Sequence, residues 1–256
     1  MKDQSEYNVR AVERALQILS SFDNEHPERG VSEIAQLLGL HKATAHRMMV
    51  TLSNCGYLER TSDGERYRLG LHVADLGMRV LRRLDLRREA RSYMRELVAR
   101  FQETCDLGVF DQGEVFCVEV IQSGRALTIA SQVGQRLPAH CTASGKAFLA
   151  FLPPEELDVL LMRPLKRYTE RTVCDPVLLR AQLQEIRRLG YGFDDQEHEP
   201  GVCAVAAPIR DRHGKVAAAL AMLGPVSRIE TERFPELGEA LVAAADAISR
   251  RMGWQG

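Results

Sequence analysis

The sequence predicts an α+β protein in two parts: a three-helix unit ending in a β-hairpin, and a larger domain on an antiparallel sheet, joined by a helix. Three observations predict it. Residues Val31 to Leu52 (VSEIAQLLGLHKATAHRMMVTL) carry helical spacing on both sides of a glycine. Tyr57-Leu58 and Tyr67 to Leu69 flank Asp63-Gly64, a strong hairpin turn signal. Beyond Cys105 the rhythm changes to short β-rich runs joined by turns, with helices grouped between them. A chain of 256 residues is long enough for two such domains.

The first helix is marked by Ala11, Ala15, Leu16, Ile18, Leu19 and Phe22, with Asn24 to Gly30 as its exit loop. The next turns Val31, Ile34, Ala35 and Leu38 to one face. Gly39 follows it, where a chain leaving a helix often needs a left-handed conformation. The helix after the turn points Ala45, Met48, Met49 and Leu52 inward. Three helices and a hairpin make a winged helix-turn-helix unit over residues 1–70. A linker helix follows over residues 71–86, with Leu71, Ala74, Met78 and Leu81 on one stripe and Leu76, Val80 and Leu84 on the next. Its apolar surplus predicts a partner helix, from a second subunit.

The second domain, residues 87–256, continues helically to Phe101. Strands are predicted over Cys105 to Phe110, Val115 to Ile121, Leu127 to Val133, Val202 to Ile209 and Val216 to Leu223. Helices are predicted over Ala143 to Phe151, Glu155 to Met162, Val177 to Leu189 and Pro235 to Arg251. Pro153-Pro154 and Gly190 punctuate them.

In the helix-turn-helix, Lys42, Thr44, His46, Arg47 and Thr51 are left pointing outward. Cations, imidazoles and hydroxyls on one exposed helix face suit phosphates and base edges in a major groove. Arg60, Arg66 and Arg68 flank the hairpin tip, where backbone phosphates would lie. A solvated helical hairpin has the same spacing, so the hairpin behind it is what tips the balance towards DNA.

The formal net charge of -1 is unusual for a nucleic-acid binder. It does not exclude one, because screening limits distant acids to a reach of about 8 Å at physiological salt. Apolar content of 45% and charged content of 27% are ordinary for a globular protein. The N-terminal stretch MKDQSEYNVR lacks the apolar core of a signal peptide, and no run has the length of a membrane span. A cytoplasmic location is the expectation. The six cysteines contain no C-x-x-C pair, which favours free thiols.

Three stretches of the second domain carry candidate chemistry. In LPAHCTASGKAFLA, Thr142 or Ser144 can cap a helix whose first N–H groups attract a carboxylate; a plain capped helix reads the same way. It is not a phosphate-binding loop, because His140 stands where the leading glycine belongs. GFDDQEHEPG crowds acids into a turn, ordinarily a solvated loop, unless one carboxylate orients a ligand. The strand Ala218 to Leu223 would leave a cavity under its small side chains.

Nothing predicts catalysis: there is no G-x-S-x-G elbow, no H-E-x-x-H and no glycine-rich dinucleotide loop, and no cofactor is expected. His140, Cys141, His198 and Cys203 form the alternative, a metal- or thiol-redox-sensing regulator. Their spacing fits no standard zinc pattern.

The order winged helix, linker helix, then LPAHCTASGKAFLA, GYGFDDQEHEPGVCAVAAPI and LGPVSRI resembles the IclR family of bacterial transcription regulators over almost the whole chain. The resemblance implies a GAF-like effector-binding domain, a homodimer or homotetramer, operator DNA as partner, and a small metabolite, often a carboxylic acid, as effector. Carried over, the pocket would use Ala143, Ser144, Asp194, Ala204, Ala221 and Leu223. Relatives that bind small keto acids have a cysteine at the position of Ala204 and serines at those of Ala221 and Leu223. The apolar residues here argue for a carboxylate at Ala143-Ser144 on an apolar or aromatic body.

Overall fold

The computed structural model describes residues 9–83 and 85–256, and the side chains of 80–85 lie outside that set. The linker-helix stripe positions Val80, Leu81 and Leu84 and residues 1–8 of the N-terminal stretch therefore lie outside the described residues. The chain divides into two compact units between residues 83 and 84.

The first unit contains α1 (Arg10–Ser20), β1 (Glu28–Gly30), α2 (Val31–Leu37), α3 (Lys42–Asn54), β2 (Leu58–Arg60), β3 (Arg66–Leu69) and α4 (Leu71–Arg83). Its core gathers Ile18, Phe22, Ile34, Ala35, Ala45, Met49, Leu58 and Tyr67, so each of the three helices buries one stripe against the other two and the hairpin. Gly39 turns the chain between α2 and α3 at φ 61°, a value that side chains with a Cβ adopt only with strain. One expectation fails here. The exit loop assigned to Asn24 to Gly30 ends in β1, which pairs with β3 to give the order β1-β3-β2. Three residues of polar and small character carry no strand signal of their own; the neighbouring β3 edge recruits them.

The second unit contains α5 (Asp85–Phe101), β4 (Thr104–Asp111), β5 (Glu114–Ile121), β6 (Arg136–Pro138), α6 (Ala143–Leu149), α7 (Pro154–Leu161), α8 (Pro176–Leu189), β7 (Gly192–Asp195), β8 (Val202–Arg210), β9 (Val216–Pro225) and α9 (Phe234–Arg251). Its six strands form one antiparallel sheet in the order β6-β5-β4-β9-β8-β7. Helices α5 and α9 pack on one face, and α6 lies on the other with α8 behind it.

The predicted strand over Leu127 to Val133 is not formed. The edge of β5 is taken instead by Arg136–Pro138, with Cys117 N–H bonded to Gln135 O at 2.9 Å. Propensity alone cannot choose between two neighbouring runs that compete for one edge. Likewise the acidic turn begins as a strand: β7 pairs with β8, Asp194 opposite Ala204. Among the described residues no helix is long and apolar enough to cross a membrane.

Candidate functional site

In the first unit, Lys42, His46 and Arg47 stand exposed on α3 and Thr44 is half-buried beside them. Helix α3 has no side-chain cap; His41 leads into it in extended conformation. The hairpin arginines differ from one another. Arg60 donates to the Tyr67 hydroxyl at 3.0 Å and lies over its ring. Arg66 binds both oxygens of Glu33 at 2.8 and 2.9 Å and the Glu28 carbonyl at 3.0 Å. It therefore ties the hairpin to α2 and β1 rather than standing open. Arg68 pairs with Glu59 across the hairpin at 3.2 Å, with both side chains largely exposed. Missed from sequence were Arg10 and Arg14 on α1, which border a groove of about 570 Å³ with Thr44, Arg47 and Thr51 of α3. Their helical spacing was legible; that α1 lies beside α3 was not.

In the second unit, the six carried-over positions line a single cavity of about 70 Å³. Sheet register explains this. Asp194 faces Ala204, and Ala204 faces Leu223; one row further on, Ala221 faces Asp106 of β4. Small side chains in these rows leave the space, and α6 roofs it. The roof sits close because a Cβ on Gly145 would lie 2.2 Å from Ala139 Cα, and one on Gly192 would lie 2.5 Å from the Ala143 carbonyl oxygen.

Of the two candidate caps, Thr142 serves: its Oγ1 accepts from Gly145 N–H at 3.3 Å and donates to the Pro138 carbonyl at 2.7 Å. The N–H groups of Ala143 and Ser144 donate to no described residue. Ser144 is left to line the cavity.

Asp194 is 4% exposed, and its Oδ1 accepts from Glu197 N–H at 2.7 Å. Burial, only partly offset by the Lys146 ammonium and these N–H groups, pushes its carboxyl up to about 7. The lining extends beyond the six positions carried over from sequence, and among the residues added to it are Asp106, Ser131, His198 and Glu199. Asp106, 7% exposed, accepts from Ser131 Oγ at 3.0 Å, and burial pushes it up to about 6. The alternation of β4 was visible in the sequence, but not which face of it would meet α6. Among the described residues that line the cavity there is no lysine or arginine.

Behind the cavity, Lys146 of α6 donates to Glu197, and both side chains are buried. Gln182 Nε2 also donates to Glu197 Oε1, at 3.2 Å. Thr172 Oγ1 donates to the Glu197 carbonyl at 2.7 Å. The turn after Asp194 is thus anchored through the buried Glu197, while Glu199 and Pro200 at its far end are exposed, and it is not the wholly solvated acid loop its composition suggests.

Residues 11–62 match the IclR helix-turn-helix domain, and residues 78–250 match the bacterial transcriptional regulator IclR C-terminal domain. The chain belongs to the IclR family. This IclR-family chain is 34% identical over 247 residues to the transcriptional regulator XynR of Escherichia coli, covering 96% of the chain and 98% of XynR. It is 35% identical over 253 residues to KdgR of the same organism, with 98% and 96% covered. An IclR transcriptional regulator from Alicyclobacillus acidocaldarius superposes with a TM-score of 0.84 at 28% identity, over 96% of this chain and all (100%) of that one. An IclR homologue from Microbacterium hydrocarbonoxydans, solved with 4-hydroxybenzoate, gives 0.83 at 31% identity over 94% and 98%. The chain is thus a transcriptional regulator with a DNA-binding domain and an effector domain.

The metal and thiol alternative finds little in this IclR-family regulator. Among the described residues no three histidine, cysteine, aspartate or glutamate side chains gather where they could hold a metal ion. His140 and His198 are separated by Tyr168, whose ring packs 6.0 Å from one imidazole and 5.1 Å from the other. Burial pushes the Cys203 thiol up to about 12 and Cys141 also upward, which suppresses the reactive thiolate.

Proposed function

We propose that this IclR-family regulator binds double-stranded operator DNA through Lys42, Thr44, His46 and Arg47, with Arg60 and Arg68 on phosphates. A small carboxylate-bearing metabolite in the cavity of the second unit then modulates that affinity. Arg66 joins the DNA surface only in so far as it can serve phosphate and Glu33 together. The protein acts in the cytoplasm as a homodimer or homotetramer. Val9 just before α1, Val12 and Leu16 on it, and Leu71, Leu76 and Met78 of α4 are exposed, and a second copy would cover them.

The observation that carries the effector reading is the convergence of Ala143, Ser144, Asp194, Ala204, Ala221 and Leu223 on one cavity. The effector's carboxylate is held by the unbonded N–H groups of Ala143 and Ser144 and shares the Asp194 proton, since among the described residues neither lysine nor arginine lines the cavity. Its apolar body lies against Ala204, Ala221 and Leu223. At about 70 Å³ the cavity is well below the usual range of about 300–1,000 Å³ for ligand sites. An aromatic body therefore enters only as Ile129 to Ser131, which close one side, give way.

Regulation follows by linkage: the effector prefers one subunit arrangement and so changes the spacing of paired α3 helices on DNA. Thermal-shift screening of aliphatic and aromatic acids, repeated with amines of the same size, tests this. Stabilisation by acids with an apolar body is expected. Stabilisation only by glyoxylate-sized acids, or only by amines, overturns the ligand reading.

A further inference from the structure

The wall of the cavity opposite the expected carboxylate seat carries a group that an unsubstituted acid would leave stranded. Asp106 is 7% exposed and lines the cavity, yet one of its oxygens is unused. Its Oδ2 accepts a hydrogen bond from Ser131 Oγ at 3.0 Å; its Oδ1 accepts from no described residue. Ser131, 4% exposed, is itself backed by the Cys117 thiol at 3.9 Å. The carboxyl is thus held by Ser131 beside it in the lining, on a central strand opposite Ala221, with one oxygen left without a protein donor among the described residues. We propose that Asp106, braced by Ser131, is the specificity-determining residue that reads a hydroxyl on the effector, which makes the effector a hydroxylated carboxylic acid.

The chemistry ranks a hydroxyl above the nearby alternatives. An apolar ring edge or methyl group against Asp106 would strip water from a carboxyl oxygen and return no hydrogen bond. A second carboxylate there would meet Asp106 as a like charge. An ammonium would be drawn by Asp106, Asp194 and Glu199 but must shed a far larger solvation energy than a hydroxyl, and it is the competitor that the titration includes. A hydroxyl gives one proton to Oδ1 and demands nothing further. It also fixes orientation: repulsion from Asp106 turns the effector's own carboxylate away, towards Ala143 and Ser144.

This inference rests on the reading that the cavity holds the effector. Calorimetric titration of the full-length protein with matched pairs tests it: benzoate against 3- and 4-hydroxybenzoate, and butanoate against 3-hydroxybutanoate. At least one hydroxylated acid should bind about tenfold or more tightly than its parent, the effect of one well-placed hydrogen bond. Asp106→Ala should bring that pair to within about threefold by weakening the hydroxylated member alone, and Asp106→Asn, which keeps an acceptor oxygen, should restore the preference. Equal binding of parent and hydroxylated acids by the natural protein, or a preference that survives Asp106→Ala, overturns the role of Asp106 and leaves the cavity reading standing. Tighter binding of 4-(aminomethyl)benzoate than of 4-hydroxybenzoate overturns it in favour of a cation. Failure of every acid to bind instead removes the carboxylate reading on which it rests.

Discussion

Lys146 and Glu197 form a buried ion pair that clamps α6 to the turn following β7, with the ammonium also 5.0 Å from the centre of the Phe193 ring. Lys146 is wholly buried and Glu197 is 4% exposed, so neither charge has water to fall back on. Removing one partner strands the other, which costs about 3–5 kcal/mol, whereas exchanging both for apolar residues of similar volume is often neutral. Lys146→Ala is expected to lower the stability of the second unit by that amount in denaturant titration. Lys146→Met with Glu197→Leu should recover most of it; a double variant as unstable as the single one would show that the clamp is not electrostatic.

The two cavity carboxyls make an opposite prediction about pH. Burial raises Asp194 from 3.8 to about 7 and Asp106 from 3.8 to about 6. A group that holds its proton more tightly in the folded state contributes fully below its unfolded value and loses that contribution as pH rises through its folded one. Unliganded protein should therefore lose stability from about pH 4 to pH 7, with Lys146 partly offsetting the loss at Asp194 and Glu197 adding to it. Asp194→Asn, which cannot ionise, should raise Tm by about 5 °C at pH 8, and that advantage should vanish near pH 4. A gain that is the same at both pH values would remove titration as its cause.

On the DNA side, Arg47 and Arg66 separate recognition from architecture. Arg47→Ala removes an exposed cation from α3 and should weaken binding to duplex DNA while lowering the slope of log affinity against log salt by about 1. Its Tm should stay within about 2 °C of the natural protein. Arg66→Ala breaks the bridge to Glu33 and Glu28 and should show its effect in the melting of the first unit as well as in DNA affinity. An unchanged salt slope for Arg47→Ala would place that side chain away from phosphate.

Filling the cavity should uncouple sensing from DNA binding. Ala221 is 3% exposed, at the meeting of β4, β8 and β9. Ala221→Phe would occupy the space of about 70 Å³ directly. Acid-induced thermal shifts should disappear while the salt dependence of duplex binding is unchanged. Persistence of the shifts would mean that the acids bind elsewhere.

Much of this arrangement was legible in the residues. Helical spacing placed α1 to α3, Gly39 marked the turn between α2 and α3 and Asp63-Gly64 that of the hairpin, and Pro153-Pro154 and Gly190 bounded helices of the second unit. These are local signals, set by the backbone conformations a few neighbouring residues allow. The errors were of another kind. Leu127 to Val133 has the composition of a strand, but the edge it needed was taken by Arg136–Pro138. The acids after Gly192 looked solvated until Lys146, Gln182 and Thr172 met them from other elements.

By itself the sequence determined the order of elements, the outward cations of α3 and, through its resemblance, the family and six positions of the cavity. Only the tertiary structure decided that Asp106 and Ser131 face those six, that Arg66 is committed to Glu33, and that Thr142 and not Ser144 caps α6. The reason is register. A strand's alternation says that every second side chain shares a face, but pairing with its neighbours chooses the face, and a slip of one residue would exchange Asp106 for Leu107 beneath α6.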